Sequence, residues 1–424
     1  MAAPVSAPDL TKCSKADLPE GATPINCCPP SSTKITDFKL PAQNSPLPNV
    51  HCAYCDGAYD QIGFSDLEIQ VHNSWLFYPF HRYYLYFYEK ILGKLINDPN
   101  FALPFWNWDS PSGMQMPAIY HQPPTLLDLD YSGTDESTTK QDQLASNLNV
   151  MYRQMVSNGK NPTLFFGSAY KAGDDPDPGA GSIENIPHGN IHLWCGDKTQ
   201  PNFENMGNFY SAGRDPMFFA HHSNCDRMWT IWKTLGGRER NDITDKDWFK
   251  HYVLFYDENA QPVRVKVKDC LETTKLGYVY QKVDIPWLKT KPTPRKSKTK
   301  KVAKLFQLGG GVGAAQAAES TGSTTGMIEG IQFQKDQAVK FDVYINDEDD
   351  SPSGPDKTEF AGSFVNVPSK HSQTKKMNTV LSLGITDLLE DLDAEDDESV
   401  VVTLVPKYGK GVATIGGIKI QFVS

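Results

Sequence analysis

One low-complexity stretch divides this sequence into two parts. Residues 289–330 begin with the basic run KTKPTPRKSKTKK and continue into GGGVGAAQAAESTGSTTG, which offers few side chains that could build a core. The chain has 424 residues, which is longer than most single domains. We therefore expect two folded domains, residues 1–288 and 331–424, joined by a flexible, protease-accessible linker.

The distribution of charge supports this division and excludes some functions. The three segments 1–288, 289–330 and 331–424 carry net charges of −9, +6 and −7. Nucleic-acid binding needs an excess of Lys and Arg, so we expect no nucleic-acid partner and interpret the basic run as a solvated tether. No segment reaches the roughly 18 apolar residues of a membrane span. The first residues lack the features of a targeting leader, so we expect an untargeted or already processed chain.

The two domains show different periodicities. After the linker, apolar residues alternate in QAVKFDVYIND, EFAGSFVNVP, SVVVTLVPKY and GGIKIQFVS, which is typical of an antiparallel β sandwich. Before the linker, the apolar spacing is helical in segments such as Pro79 to Leu92 and Pro216 to Leu235. The predicted fold is a mainly α domain, a flexible linker and an all-β sandwich.

The cysteines cluster near the start of the chain. Five of the eight lie within the first 55 residues, in a Pro-rich segment. Such a cluster favours two disulfides and an oxidising compartment. A reduced chain with free cysteines is the alternative, and the scattered Cys195, Cys225 and Cys270 fit it well.

Two histidine motifs predict metal ligands on helices. In IPHGNIH, Pro187 suits the first helical position, with Asn185 or Ser182 as the cap, and His188 and His192 then share one face. In DPMFFAHHSNCDRMW, Asp215 caps a second helix that Pro216 begins. His221 and His222 point about 100° apart on that helix, so only one joins easily. Geometry leaves the choice between them open.

A third motif, VHNSWLFYPFHR, places His72 and His81 nine residues apart, about two and a half helical turns. They could not face one metal from a continuous helix. Pro79 resolves this by starting a helix near residue 78 and leaving His72 on the preceding loop. His51, in HCAYC, would come from another element.

Two sets of three imidazoles suit Zn, Cu, Fe or Ni rather than Mg or Ca. The absence of carboxylates at ligand spacing disfavours a di-iron carboxylate bundle, and the missing bridging carboxylate disfavours a hydrolytic di-zinc site.

The strings HCAYC, VHNSWLFYPFHRYYL, FWNWD, IPHGNIHLW and DPMFFAHHSNCDRMW closely resemble those of the plant polyphenol oxidases, the catechol oxidase and tyrosinase family with binuclear type 3 copper. The resemblance extends through DIPWL and VKFDVYIND. It implies a copper domain on a four-helix bundle core, followed by a β sandwich that covers the active site and keeps the enzyme latent. It also implies a plastid, thylakoid-lumen location, with the transit peptide absent from this chain. We expect a monomer.

The resemblance implies specific residue roles. His51, His72 and His81 match the ligands of one copper, and His188, His192 and His222 match those of the other. Cys55 matches a cysteine that forms a thioether with His72. The family's disulfide pairs correspond to Cys13 with Cys28 and Cys27 with Cys52.

The implied activity is oxidation of o-diphenols to o-quinones with reduction of O₂ to water. Glu184 matches a water-holding glutamate, and Phe209 an aromatic at the mouth of the substrate site. We also place Gly189 and Asn190, directly after His188, in the catalytic site. Because glycine at 189 offers no polar group, we expect weak or absent monophenol hydroxylation. The alternative is a type 3 copper oxygen carrier without phenol oxidase activity.

Two further expectations concern polar and covering groups. We expect Asn224 and Asp226, beside His222, to orient ligands and solvent together with Glu184. The linker lacks an obvious strand that could reach from the C-terminal domain into the copper site, so the family's latency is only a hypothesis for this chain.

Overall fold

The computed structural model describes residues 14–15, 26–27, 36–40, 71–120, 139–171, 174–237, 239–295, 323–347, 353–369, 376–397 and 399–423. The described residues between 71 and 295 form a mainly helical body, and those between 323 and 423 form a β body. Within the described residues, no helix combines the length and apolarity that crossing a membrane requires.

The helices lie mostly in the helical body. They are α1 (Phe77–Leu95), α2 (Lys140–Tyr152), α3 (Pro162–Phe166), α4 (Gly189–Cys195), α5 (Phe209–Ala212), α6 (Pro216–Trp232), α7 (Lys246–Lys250) and α8 (Thr273–Leu276), with α9 (Thr386–Asp391) in the β body. The described residues also contain two π-helical turns, Arg153–Ser157 and Glu184–His188, and four 3₁₀ turns, Pro111–Gly113, Ala118–Tyr120, Val267–Asp269 and Pro286–Lys289.

Helix α1 starts close to the predicted position. It begins at Phe77, with Pro79 in its first turn, and it continues to Leu95, three residues beyond the predicted end. No side chain caps its N-terminus. The helix is instead stabilised by burial of its aromatic residues, since tertiary packing supplies most of the stability of protein helices.

Helix α6 confirms its predicted start. The Asp215 side chain accepts a hydrogen bond from the Met217 backbone N–H at 2.9 Å, and Pro216 occupies the first turn. The helix ends at Trp232, three residues before the predicted Leu235, and Gly236 beyond it has a positive φ of 79°.

Helices α1 and α6 pack antiparallel in the centre of the helical body. Tyr78, near the start of α1, contacts Trp229, near the end of α6, with ring centroids 5.8 Å apart. Tyr88, further along α1, stacks on Phe219 at 3.4 Å. This pairing brings the histidine-bearing segments of both helices together. The four-helix bundle stays a prediction.

Within the part of the chain that the structure describes, the strands form four small sheets. They are β1 (Ser14–Lys15), β2 (Asn26–Cys27), β3 (Thr36–Asp37), β4 (Tyr252–Tyr256), β5 (Pro262–Lys266), β6 (Ser323–Gln334), β7 (Val339–Ile345), β8 (Phe360–Asn366), β9 (Lys376–Gly384), β10 (Val402–Tyr408) and β11 (Gly417–Val423). Strands β1 and β2 pair with each other, and β3 joins β5 and β4 in the helical body.

The β body contains two antiparallel three-stranded sheets, ordered β10-β7-β8 and β11-β6-β9. One apolar cluster includes side chains from both sheets, for example Phe341 and Phe364 from the first and Ile331 and Leu381 from the second. The two sheets therefore share one core, as in a sandwich.

Both ends of the predicted linker differ from the structure. Strand β6 begins at Ser323, eight residues before the predicted boundary at 331, because small residues that resemble a linker here pair with β9 and β11. At the other end, the Thr293 N–H donates to the Asp356 carbonyl at 3.1 Å, so this segment lies against the β body. Residues 296–322 lie outside the described part of the chain.

Candidate active site

Six histidines meet between α1, α4 and α6. His72 lies on the turn before α1, as predicted, and His81 lies within α1. His188 and His192 lie at the start of and within α4, and α6 contributes the adjacent His221 and His222. All but His72, which is partly buried, are at most 4% exposed. The helices thus converge on one interior cluster of imidazoles.

Backbone carbonyls orient three of the rings. The Nδ1 atoms of His81, His188 and His192 lie 2.8, 2.8 and 2.7 Å from the carbonyl oxygens of Phe77, Glu184 and Met206. Such a contact places the ring proton on Nδ1 and leaves Nε2 as a lone-pair donor. The Nε2 atoms of His192 and His222 lie 3.2 Å apart, and His188 Nε2 has no hydrogen-bond partner among the described residues. The Nε2 atoms of His192 and His222 therefore meet inside the cluster.

The rings from different elements are in contact. His81 stacks on His222 with centroids 4.1 Å apart, and the His72 ring lies 5.1 Å from that of His81 and 6.1 Å from that of His188. One potential ligand atom from each of His188, His192, His221 and His222 lies within 4.8 Å of those of the others.

His221 approaches the cluster more closely than its helical position predicts. The His188 ring lies 5.3 Å from the His221 ring and 5.0 Å from the His222 ring, so both neighbours on α6 contact it. These ring contacts do not decide between the two, so the choice of His222 as the ligand stays a prediction. His221 Nε2 also lies 3.8 Å from Cys225 Sγ, one turn away.

Burial keeps the imidazoles neutral. Desolvation lowers the pKa of His81 to about 3 and that of His192 to about 4. It lowers the pKa values of the remaining rings well below the ordinary value of histidine; these are His72, His188, His221 and His222. Neutral imidazoles keep a nitrogen lone pair available, so the cluster fits a copper-type metal as a set of ligands.

Glu184 lies one helical turn before His188 and is 4% exposed. Its Oε1 accepts a hydrogen bond from the Asn73 backbone N–H, and its Oε2 accepts one from Gly181 N–H at 3.4 Å. Burial raises the pKa of this carboxyl group well above its ordinary value, although both hydrogen bonds act in the opposite direction. Asn73, the residue after His72, therefore holds the Glu184 carboxyl group in place.

The other predicted site residues surround His188 and His72. The Phe209 ring stacks on the His72 ring at 4.0 Å, and Asn190 is buried beside α4's start. A Cβ atom added to Gly189 would lie 3.1 Å from Val365 Cγ1, which belongs to the β body. Among the described residues, strand β8 of the β body therefore lies against the start of α4.

Asn224 and Asp226 do not orient the rings as expected. Asp226 Oδ1 accepts from buried Arg82 at 2.6 Å, and the Asn224 side chain binds Asp109 and Arg227. Asp226 and Asn224 bind Arg82 of α1 and Arg227 of α6 instead of the imidazoles, because a buried guanidinium requires an anionic or polar partner.

The helix start at HGNIH also differs in its cap. Ile186 has extended angles of −140° and 131°, so helical geometry begins at Pro187, as predicted. Neither Asn185 nor Ser182 caps it. The Asn185 amide instead binds the backbone of β8, accepting from Val365 N–H at 2.9 Å and donating to the Ser363 carbonyl.

Sequence reasoning missed a second link between the bodies. Lys335 Nζ lies 2.7 Å from Asp177 Oδ2, with side chains 3% and 1% exposed. Asp177 Oδ1 accepts from the Asn73 amide at 3.1 Å, and the Asn73 backbone holds Glu184. These residues are far apart in sequence and belong to no motif, so no local signal identified them.

Several predicted residues fall outside the described part of the chain. These are His51, Cys55 and the disulfide partners Cys13, Cys28 and Cys52. The third ligand of the first metal, the thioether and both disulfides stay predictions.

Comparison with known proteins first identifies the class. A model of the common central domain of tyrosinase matches residues 45–142 and 121–235, a polyphenol oxidase middle domain matches residues 242–293, and a chloroplastic polyphenol oxidase C-terminal domain matches residues 315–422. The histidine cluster lies in the tyrosinase part, so the class is a tyrosinase-type copper protein.

The relatives then identify the family. The chain is 57% identical to a chloroplastic polyphenol oxidase of Malus domestica, over 100% of this chain and 85% of that protein. It is 47% identical to aureusidin synthase of Antirrhinum majus, over 99% and 89%. The structure of latent apple tyrosinase matches with a TM-score of 0.81 and 56% identity, covering 92% of this chain and 100% of that one. The chain belongs to the plant polyphenol oxidase family.

Proposed function

We propose that this protein oxidises o-diphenols to o-quinones, using O₂, which is reduced to water. The observation that carries the proposal is the convergence of buried, neutral imidazoles from α1, α4 and α6 at the position of the tyrosinase domain. Relatives named polyphenol oxidases support the same activity.

The ligand assignment has two sets of three. His51, His72 and His81 would hold one copper ion, and His188, His192 and His222 the other. When bound, the copper pair supplies the two-electron chemistry with O₂ that side chains lack. His221, which contacts His188 and Cys225, would pack behind the second set.

Surrounding residues would position the phenol and its protons. Glu184 would accept a proton from the phenol, directly or through a water, at the carboxylate held by Asn73 and Gly181. Phe209, stacked on His72, would limit the motion of that ligand at the substrate entrance. Gly189 leaves room beside His188 that the Val365 side chain fills, and the buried Asn190 follows it on α4.

We expect catechols to be preferred over monophenols, because Gly189 supplies no polar group that could help Glu184 hold a water. The relatives are also compatible with other phenolic substrates, since they include aureusidin synthase and a protein named (+)-larreatricin hydroxylase. The alternative of an oxygen carrier predicts reversible O₂ binding without consumption of catechol.

The experiment is an oxygen-electrode assay of the copper-loaded full chain, before and after cleavage within residues 296–322, with 4-methylcatechol and tyramine. We expect catechol-dependent O₂ uptake, a much slower rate with tyramine, and loss of activity in His192→Gln but not in the matched His251→Gln. Equal rates with both phenols would refute the diphenol preference. Absence of O₂ uptake from a chain that holds two copper ions would favour the oxygen carrier.

We also propose that the β body keeps the enzyme latent and that the protein works in the plastid, in the thylakoid lumen. Val365 against Gly189 and the buried Lys335–Asp177 pair support the cover. Relatives named chloroplastic, and one named a latent form, support both proposals. If cleavage of the linker leaves the activity unchanged, the latency proposal is wrong.

A further inference from the structure

The segment that covers the site, residues 360–368, is bound through its peptide backbone. The Asn185 amide donates to the Ser363 carbonyl, and its Oδ1 accepts from Val365 N–H at 2.9 Å. The Phe209 N–H donates to the Pro368 carbonyl at 3.3 Å. Asn185 itself is 4% exposed and directly follows Glu184. The helical body therefore recognises an extended chain by groups that any peptide possesses.

The side chains of this covering segment face two ways. Val365 belongs to the apolar core of the helical body, and Phe364 belongs to the core of the β body. The Val365 side chain lies against Gly189, the residue that follows His188. Asn185 binds the backbone of residues 363 and 365. Of these two, residue 365 is the one whose side chain lies against the histidine site.

If the β body moved away, the Asn185 amide would lose both of its backbone hydrogen-bond partners. Successive odd-numbered residues of a strand place their N–H and C=O groups on one edge, which is why one amide contacts both 363 and 365. A site built to hydrogen-bond a ligand discriminates against molecules that leave its buried polar groups unpaired. A free catechol whose hydroxyls face the histidines has no group left to replace both bonds to Asn185, whereas an extended peptide can.

We propose that Asn185 is a substrate-binding residue for catechols carried on an extended peptide, namely 3,4-dihydroxyphenylalanyl residues that take the place of Val365. This inference rests on the proposed diphenol oxidation. The catechol ring of the peptide loses two electrons and two protons and becomes an o-quinone. Two such rings reduce one O₂ to two waters, so the oxidant is the one that the proposed function already uses.

The substrates for the test differ in one hydrogen bond. One is the blocked peptide acetyl-Ser-Phe-Dopa-Asn-Val-amide, which copies residues 363–367 with Dopa at position 365. The second carries an N-methyl group on the Dopa nitrogen and cannot donate to Asn185. The reference is 4-methylcatechol. The enzyme is the copper-loaded full chain, cleaved within 296–322 with both pieces kept in solution.

We expect kcat/KM for the unmodified peptide to exceed that for the N-methyl peptide about tenfold, the effect of one neutral hydrogen bond. Asn185→Leu should abolish this difference. Asn158→Leu should retain it, because Asn158 binds the same segment at the Ala361 carbonyl, outside the copied residues. A dye-labelled acetyl-Ser-Phe-Val-Asn-Val-amide should bind the metal-free cleaved chain, and Asn185→Leu should weaken that binding about tenfold.

Equal kcat/KM values for the two peptides on the wild-type enzyme would overturn the inference, and this result does not depend on any variant folding. Retained discrimination in Asn185→Leu would overturn it as well. If 4-methylcatechol is not oxidised at all, the proposed function fails, and the binding measurement with the labelled peptide still decides whether Asn185 recognises a peptide backbone.

Discussion

A buried ion pair, Lys335 with Asp177, joins the two bodies, and its removal should loosen the contact between them. At 2.7 Å and an effective dielectric constant of about 20, the Coulomb attraction is about 6 kcal/mol. Desolvation offsets part of this attraction. Removal of one partner of a buried pair nevertheless typically costs about 3–5 kcal/mol, because the other charge stays buried alone. Lys335→Met should therefore favour the open state by a factor of a few hundred or more.

The assay is hydrogen exchange at the Val365 amide, whose N–H is held by buried Asn185 and exchanges when the cover lifts. The matched control is Lys419→Met, which removes an exposed pair with Glu329 inside the β body and should change exchange little. Adding Asp177→Asn to Lys335→Met should restore much of the protection, since the neutral amide leaves no unpaired charge and keeps an oxygen that accepts from the Asn73 amide. Exchange in Lys335→Met that matches Lys419→Met would refute the reasoning.

Three further predictions concern packing, stability and metal. Gly189→Asn should clash with Val365, whose Cγ1 would lie 3.1 Å from the new Cβ, and the clash should raise the activity of the uncleaved chain. Adding Val365→Ala should suppress this rise. An unchanged rate of the uncleaved Gly189→Asn chain would contradict the prediction. Arg82→Leu should lower the free energy of unfolding by about 3–5 kcal/mol, measured in urea, because Asp226 loses its 2.6 Å buried partner; a loss below about 1 kcal/mol would argue against it. Removing copper by chelation should lower the Tm, since ligation at 100 times the Kd contributes about 2.7 kcal/mol; an unchanged Tm after verified metal loss would refute ligation by the cluster.

Local sequence signals predicted local structure well. Asp215 and Pro216 start α6, helical geometry begins at Pro187, and His72 precedes α1 on a turn. Each of these depends on backbone chemistry within a few residues, which a sequence displays directly. The helical segments that these signals define carry predicted histidines, and those histidines lie close together in the structure.

Contacts between distant segments could not be predicted in this way. Asparagine is a residue type that often caps helices, yet the Asn185 amide binds the backbone of β8. Lys335 and Asp177 carry no sequence signal that pairs them. The linker boundary was misplaced for a similar reason, because Ser323 and the small residues after it become a strand only when β9 and β11 are present. In each case a partner from elsewhere in the chain decides the outcome.

Strand β8 is buried on both faces, since all seven of its residues are inaccessible. On the face toward the helical body, Phe360 and Val365, with Tyr344 of β7, complete that body's core rather than their own. If the two bodies separate, the β body would carry this aromatic and aliphatic patch into water. Exposed patches of this kind promote self-association. A separated β body would then be prone to aggregate, which would make the separation difficult to reverse.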